Sequence, residues 1–153
     1  WRRSDVLTVA AVQGHAIGAG FQLALACDVR VVADDVRFAM RETSLGLVPD
    51  LTGTHPLVGL VGYARALEIC VTGRSVLAEE AVRCGLANLA VPADQLADAV
   101  ADLVSAVLAA PRDAVIETKA LLQGAASRDL EAQRTAERAA QARRLRDLAG
   151  LGE

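Results

Sequence analysis

One short segment constrains the fold of this chain more than any other: a glycine turn between two apolar stretches. Residues 6–12 are nearly all apolar and rich in valine, and residues 14–28 read GHAIGAGFQLALACD. Glycine has no Cβ, so such a turn lets a ligand approach the backbone closely. A helix that begins there presents free N–H groups and the positive end of its dipole. The pattern predicts a strand, a turn and a buried helix, and the turn suits an oxygen that becomes negative during a reaction.

The chain up to residue 92 alternates short apolar strands with short helices. Strands are predicted over 6–12, 29–33, 37–40 and 86–91, and helices over 20–27, 55–61, 63–71 and 77–83, with a loop over 43–54. A nearly all-apolar, valine-rich strand is typical of a parallel sheet covered on both faces. Beyond residue 93, helical spacing of apolar residues predicts helices over 94–109, 111–122 and 129–148. We therefore predict an α/β core over 1–92 and a helical segment over 93–153.

The composition of the chain limits which binding partners we expect, in particular nucleic acids and membranes. A formal net charge of −3 gives no reason to expect nucleic acid. The arginines between 134 and 146 alternate with acidic residues, which indicates a solvated helix face. No apolar run is long enough to span a bilayer, and the first residues do not resemble a signal peptide, so we predict no membrane association.

The three cysteines predict buried thiols in a reducing compartment. Cys27, Cys70 and Cys84 are odd in number, lie far apart and show no CxxC spacing, which argues against a disulfide framework. Neither His15 nor His55 has a carboxylate or thiol at metal-ligand spacing, so no metal site is expected. We expect a cytoplasmic protein.

Two familiar site types do not fit the glycine turn. A dinucleotide site needs G-x-G-x-x-G after a strand, whereas the glycines here stand at 14, 18 and 20. A serine hydrolase needs a serine at its nucleophile elbow, and the turn contains none.

The turn and the segments after it resemble, in order and spacing, the enoyl-CoA hydratase/isomerase (crotonase) family. The matching pieces after the turn are DVRVVA at 28–33, LGLVPD at 45–50, VTGR at 71–74, AEEA at 78–81 and CGLAN at 84–88. The resemblance runs from about residue 9 to 119. It implies a crotonase-like α/β core of the ClpP/crotonase superfamily, with C-terminal helices that pack between the subunits of a homotrimer or dimer of trimers.

The resemblance also implies an acyl-CoA thioester substrate and no separate cofactor. Family members carry a further half upstream, which supplies one of two oxyanion-hole amides, while this sequence opens on Trp1. We therefore expect a fragment without activity of its own.

The resemblance assigns roles to the turn and to one carboxylate. The backbone N–H of Ala19 is expected to donate to the thioester oxygen, with Gly18 and Gly20 beside it at the substrate. Glu42 stands where the family has its acid/base glutamate. Arg41, next to it, offers an alternative, since an ion pair would lower the proton affinity of Glu42.

Gln22 is an informative departure from the family pattern, because hydratases of this family have a second glutamate there. A carboxamide does not titrate, so it orients a water or substrate group, or binds local backbone. Asp50 either faces the acyl pocket or caps the next helix. Lys119 either contacts CoA phosphates or a neighbouring subunit, or lies on a solvated helix face.

These residues predict single-base chemistry, with Glu42 moving a proton between carbons of an enoyl-CoA in a double-bond isomerisation. Two alternatives stay open: a hydratase despite Gln22, and a non-catalytic acyl-CoA-binding protein on the same fold.

Overall fold

A computed structural model describes residues 4–150 of the chain, in two compact units. The first unit comprises Thr8–Leu103, and the second comprises Ser4–Leu7 with residues 104–150. The strands are β1 Val9–Val12, β2 His15–Ile17, β3 Val29–Ala33, β4 Arg37–Ala39, β5 Val76–Leu77 and β6 Leu89–Val91. The helices are α1 Ala19–Ala26, α2 Thr54–Val61, α3 Tyr63–Thr72, α4 Ala78–Arg83, α5 Leu96–Leu108, α6 Arg112–Ala125 and α7 Leu130–Leu148. The predicted α/β class is confirmed.

The strands form two small sheets. The first has the order β1-β3-β6 and is entirely parallel, with Val9 opposite Val29 and Val31 opposite Leu89. The second has the order β2-β4-β5; β2 and β4 run parallel, and β5 is antiparallel to β4. The strand prediction from sequence was incomplete. It missed β2 and β5, which are two or three residues long and are defined by pairing with β4 and not by a local pattern.

The first strand is shorter and less covered than its sequence suggested. Residues 6–8 lie before β1, and β1 itself is half-buried because it forms an edge of its sheet among the described residues. The strand at 29–33, in contrast, is observed with the predicted bounds and is almost wholly buried. A central strand has neighbours on both edges, which explains the difference in burial.

The main core lies under the glycine turn and positions it. Phe21 on α1 and Phe38 on β4 are fully buried, and their ring centroids are 4.9 Å apart. Met40, Leu57 and Ile69 complete this cluster, with no exposed surface. Each of the two phenylalanines lies close in sequence to a predicted site residue, so the packing fixes the backbone on which those residues stand.

A buried arginine caps the C-terminal end of α1. Arg30 is 4% exposed, and its guanidinium donates to the carbonyl oxygens of Ala24 and Cys27, at 3.3 and 2.8 Å, and of Leu86 at 2.7 Å. The last carbonyls of a helix lack partners within the helix. Arg30 thus satisfies the C-terminal end of α1, whose N-terminal end forms the glycine turn.

The second unit is a pair of helices with the segment Ser4–Leu7. Arg143 on α7 donates twice to Glu117 on α6, at 2.7 Å each, and Asp129 caps α7 by accepting from the Ala132 amide at 2.8 Å. Lys119 is 8% exposed, and its Nζ donates to the Val6 carbonyl at 2.7 Å. The interpretation of Lys119 as part of a solvated helix face is therefore wrong.

Candidate active site

The glycine turn is built as a strand-to-helix junction. β2 ends at Ile17, α1 begins at Ala19, and Gly18 between them has φ 54° and ψ −116°. The Gly18 amide donates to the Ala39 carbonyl at 2.8 Å, and its carbonyl accepts from the Gln22 amide at 3.0 Å. A residue with a side chain is strained at this φ. Gly18 therefore allows the chain to leave the sheet and enter the helix within one residue.

The first amides of α1 are free to bind a ligand. Within residues 4–150, the N–H groups of Ala19 and Gly20 donate to no other group, as expected for the first turn of a helix. Gly20 also lines a groove of about 300 Å³, together with Ala10, His15 and Leu23. The Gly18 amide, in contrast, is already occupied by Ala39. The substrate roles of Ala19, Gly18 and Gly20 stay predictions.

Glu42 follows β4 and begins a 3₁₀ turn, Glu42–Leu45. The turn is held against α3, since the Thr43 hydroxyl donates to the Cys70 carbonyl at 2.7 Å. The carboxylate of Glu42 faces the glycine turn: a Cβ on Gly18 would lie 3.4 Å from Oε1. The structure therefore brings Glu42 to the turn that carries the free Ala19 amide.

Gln22 connects Glu42 to a loop further along the chain. Its side chain is buried, and Nε2 donates to Glu42 Oε1 at 2.6 Å. Its Oε1 accepts from the Leu51 amide at 2.9 Å and from the Gly53 amide at 3.3 Å. The sequence left two roles open for Gln22: to orient a water or substrate group, or to bind local backbone. The structure shows backbone binding, but to the distant loop at Leu51 and Gly53, together with the hydrogen bond to Glu42.

The two oxygens of Glu42 have different surroundings. Oε1 accepts from Gln22, whereas Oε2 is buried and has no hydrogen-bond partner among the described residues. Arg41 forms no ion pair with Glu42 within residues 4–150, so that alternative is not realised. Buried polar atoms are almost always paired, so an unpartnered one calls for an explanation. The acid/base role of Glu42 stays a prediction.

A thiol lies near this carboxylate without adding a second base. Cys70 on α3 is half-buried, and burial first and the charge of Glu42 second raise the pKa of its thiol above the usual range. A thiol is a nucleophile only when it is deprotonated. Cys70 therefore stays neutral near pH 7 and contributes bulk next to the 3₁₀ turn.

Asp50 lies apart from these contacts. It is exposed, and it does not cap α2, whose N-cap is Gly53 without a side-chain hydrogen bond. Its proposed pocket role stays a prediction. The backbone amides of Leu51 and Gly53 were not predicted as part of the site, although the glycine at position 53 was an available signal. A Cβ on Gly53 would lie 2.6 Å from Gln22 Cγ, so glycine is required for this approach.

The described part of the chain bears on two further classes of feature, metal sites and membrane-spanning helices. Between residues 4 and 150, His, Cys, Asp and Glu side chains nowhere gather in threes that could hold a metal ion. No helix in the same range combines the length and the apolar character that a membrane crossing requires.

Comparison with known proteins identifies the architecture. A family model described as enoyl-CoA hydratase/isomerase matches residues 2–147. A crystal structure from Thermobifida fusca YX, assigned as an enoyl-CoA hydratase in complex with CoA, is 52% identical with a TM-score of 0.95. That match covers 97% of this chain and 58% of that one. A second crystal structure, also of an enoyl-CoA hydratase assigned in Thermobifida fusca YX and in complex with acetoacetyl-CoA, is 51% identical with a TM-score of 0.94. The predicted crotonase-like fold is confirmed.

A curated relative gives the same result at the level of sequence. The short-chain-enoyl-CoA hydratase of Clostridioides difficile is 37% identical over 127 residues, which are 83% of this chain and 81% of the relative. Other matches cover less of their relatives: an enoyl-CoA hydratase assigned in Mycobacterium bovis is 44% identical over 89 residues, 35% of its length. The chain thus spans only part of several of the proteins that it matches.

Proposed function

Because this chain belongs to the enoyl-CoA hydratase/isomerase family, we propose that it forms the part of an acyl-CoA enzyme that carries the acid/base glutamate. The observation that carries the proposal is the asymmetry of Glu42: Oε1 is held by Gln22, and Oε2 is buried and unpartnered beside the glycine turn. Solved relatives were crystallised with CoA and with acetoacetyl-CoA, which supports a thioester as the substrate class.

The proposed reaction is double-bond isomerisation with one base. Glu42 Oε2 takes a proton from the carbon next to the thioester carbonyl of a 3-enoyl-CoA, and the electron pair moves onto the carbonyl oxygen. The free Ala19 amide at the start of α1 stabilises the resulting enolate oxygen. Glu42 then returns the proton to the fourth carbon, the double bond moves to the second and third carbons, and the carbonyl re-forms. No atom is gained or lost.

Hydration is the second candidate, and the names of the solved and curated relatives favour it. Adding water across a 2-enoyl-CoA requires that the water be both oriented and deprotonated. The Gln22 carboxamide carries no titratable proton, and both ends of it are already engaged with protein groups. Glu42 would have to perform both proton transfers alone, so we expect hydration to be slower than isomerisation.

The test compares the two reactions in the protein expressed from its complete reading frame. Glu42→Gln should lower 3-enoyl-CoA isomerisation by at least about 100-fold, because the proton acceptor is lost. Gln22→Glu should raise 2-enoyl-CoA hydration by about tenfold, since it adds a second carboxylate. Gln13→Glu makes the same chemical change at an exposed position and should alter neither rate.

Each result selects among the candidates. Fast hydration by the unmodified protein would reject the isomerase assignment in favour of the hydratase. Full activity in Glu42→Gln would remove Glu42 from the mechanism. Tight acyl-CoA binding without turnover of any thioester would select the non-catalytic acyl-CoA-binding alternative.

We also propose that the helical segment mediates assembly as a trimer or dimer of trimers. Its helices leave large apolar side chains exposed among the described residues: Leu122, Leu130, Leu145 and Leu148. Large apolar side chains that stay exposed are candidates for burial against another protein. The expected location in the cytoplasm rests on the three unpaired cysteines.

A further inference from the structure

The contacts of Gln22 determine which way its carboxamide points. Two backbone N–H groups, from Leu51 and Gly53, converge on one end of it, and only an oxygen accepts from both. The other end must then be the NH₂ group, which donates to Glu42 Oε1 at 2.6 Å. The orientation follows from the partners alone. Gln22 therefore acts as a donor toward Glu42 and as an acceptor toward the loop.

The loop is shaped to hold an oxygen at this position. Thr52, between the two donating residues, has φ 64°, a conformation that is strained for a β-branched side chain. Backbone in such a turn conformation directs successive N–H groups into one concavity, which is suited to anions and carbonyl oxygens. The strain at Thr52 is thus accompanied by two amides aimed at Gln22 Oε1, and Gly53 leaves the space that Gln22 fills.

We propose that Gln22 is a positioning residue that makes Glu42 a one-oxygen acid/base. The loop amides hold the Gln22 oxygen, the Gln22 NH₂ group holds Glu42 Oε1, and Oε2 is left as the sole oxygen that takes and returns the proton. This inference rests on the proposed function. It gives Gln22 a role through Glu42 instead of through contact with substrate or water.

The test separates the two ends of Gln22 by substitution. Gln22→Met keeps the length of the side chain and removes both hydrogen-bonding ends, whereas Gln22→Glu keeps the acceptor toward the loop and replaces the amide donor toward Glu42 by a carboxyl group. In Gln22→Met we expect kcat for 3-enoyl-CoA isomerisation to fall about 10- to 100-fold, with KM within about threefold, because the base is misplaced while the binding surface is intact. Gln13→Met is the control, at an exposed position without contacts to the site.

Two readouts do not depend on turnover. In protein labelled with ¹³C-glutamate, the Glu42 carboxyl resonance, assigned with Glu42→Gln, should shift in Gln22→Met and stay unchanged in Gln13→Met. Hydrogen exchange at the Leu51 and Gly53 amides should stay slow in Gln22→Glu and become fast in Gln22→Met, because only glutamate retains the acceptor.

The outcomes are distinguishable from those of the proposed function. A rise in KM with unchanged kcat would overturn the inference, since Gln22 would then contact substrate. An unshifted Glu42 resonance in Gln22→Met would also overturn it. A shifted resonance in a protein that turns over no thioester would support the positioning role while rejecting the proposed reaction.

Discussion

The two oxygens of the Glu42 carboxylate lie in unequal surroundings. In this chain Glu42 Oε1 is engaged by Gln22, and Oε2 is buried without a partner among the described residues. The inequality depends on a second residue, Gly53, because its missing Cβ leaves room for the buried Gln22 side chain. At the scale of single residues, Gly53 thus affects the hydrogen bonding of the Glu42 carboxylate through Gln22, without contacting Glu42 itself.

Gly53→Ala is expected to disturb the site through Gln22. The new Cβ would lie 2.6 Å from Gln22 Cγ and 3.0 Å from its Cβ, and Gln22 has no free space to move into. We expect a loss of about 1–3 kcal/mol in the free energy of unfolding, measured by urea denaturation, and a fall in kcat of about tenfold.

Gly59→Ala is the matched control for that variant. It makes the same change on α2, where a new Cβ meets nothing within 4 Å. Because alanine favours a helix interior over glycine, we expect unchanged kcat and a gain of up to about 1 kcal/mol. Equal effects of the two substitutions would show that the close approach at Gly53 has no consequence.

Helix α3 supports the site and is itself tied to α4. Arg74, just after α3, pairs with Glu68 on α3 at 2.6 Å and with Glu80 on α4 at 2.7 Å, and donates two bonds to each. These hydrogen bonds hold the pKa values of Glu68 and Glu80 below their ordinary range. Arg74, Glu68 and Glu80, here called the clamp, thus hold α3 to α4. The Cys70 carbonyl on α3 in turn accepts a hydrogen bond from the Thr43 hydroxyl, next to Glu42.

The clamp predicts a pH-dependent stability. A depressed carboxyl pKa stabilises the fold above the unfolded value, about 4.3, and that stabilisation is lost as the pH falls through the lower folded value. Because all three side chains are partly exposed, we expect Arg74→Gln to lower the free energy of unfolding by about 1–2 kcal/mol at pH 7. The difference from the unmodified protein should shrink below about pH 4.

Denaturation at pH 7 and at pH 3.5 measures this difference, with Arg83→Gln as the control. Arg83 pairs with Glu79 at 3.6 Å, and both side chains are largely exposed. Such pairs contribute less than about 0.5 kcal/mol. A difference between Arg74→Gln and the unmodified protein that stays constant down to pH 3.5 would contradict the role of the two carboxylates.

At the scale of the whole molecule, the open question is how the exposed leucines of the helical segment are covered. If the protein assembles as proposed, sedimentation velocity at micromolar concentration should give a trimer or a multiple of three. Leu122→Asp, on an exposed position of α6, should weaken the assembly, whereas Gln141→Asp on α7 adds the same charge without removing an apolar side chain. A strict monomer at this concentration would contradict the proposal.

Local pattern was sufficient for most elements and for the family. The strand at 29–33 and helices α2, α3 and α7 were predicted to within about two residues, because apolar periodicity and glycine or proline at their ends are local signals. Glu42 and the roles assigned to the glycine turn came from the family resemblance, since each lies within a contiguous motif, and those roles stay predictions. The resemblance of these motifs to one family is confirmed by the match over residues 2–147.

What only the tertiary structure decided are the contacts between residues far apart in the chain. Gln22 and Glu42 are 20 residues apart, and Gln22 and Gly53 are 31 apart, so no periodicity or spacing reports that they touch. The same holds for β2 and β5, which are strands because β4 lies between them, and for Lys119, whose partner is Val6. Sequence determines which groups are present and which element carries each of them. Packing determines which groups meet, and therefore which oxygen of Glu42 is left unpaired.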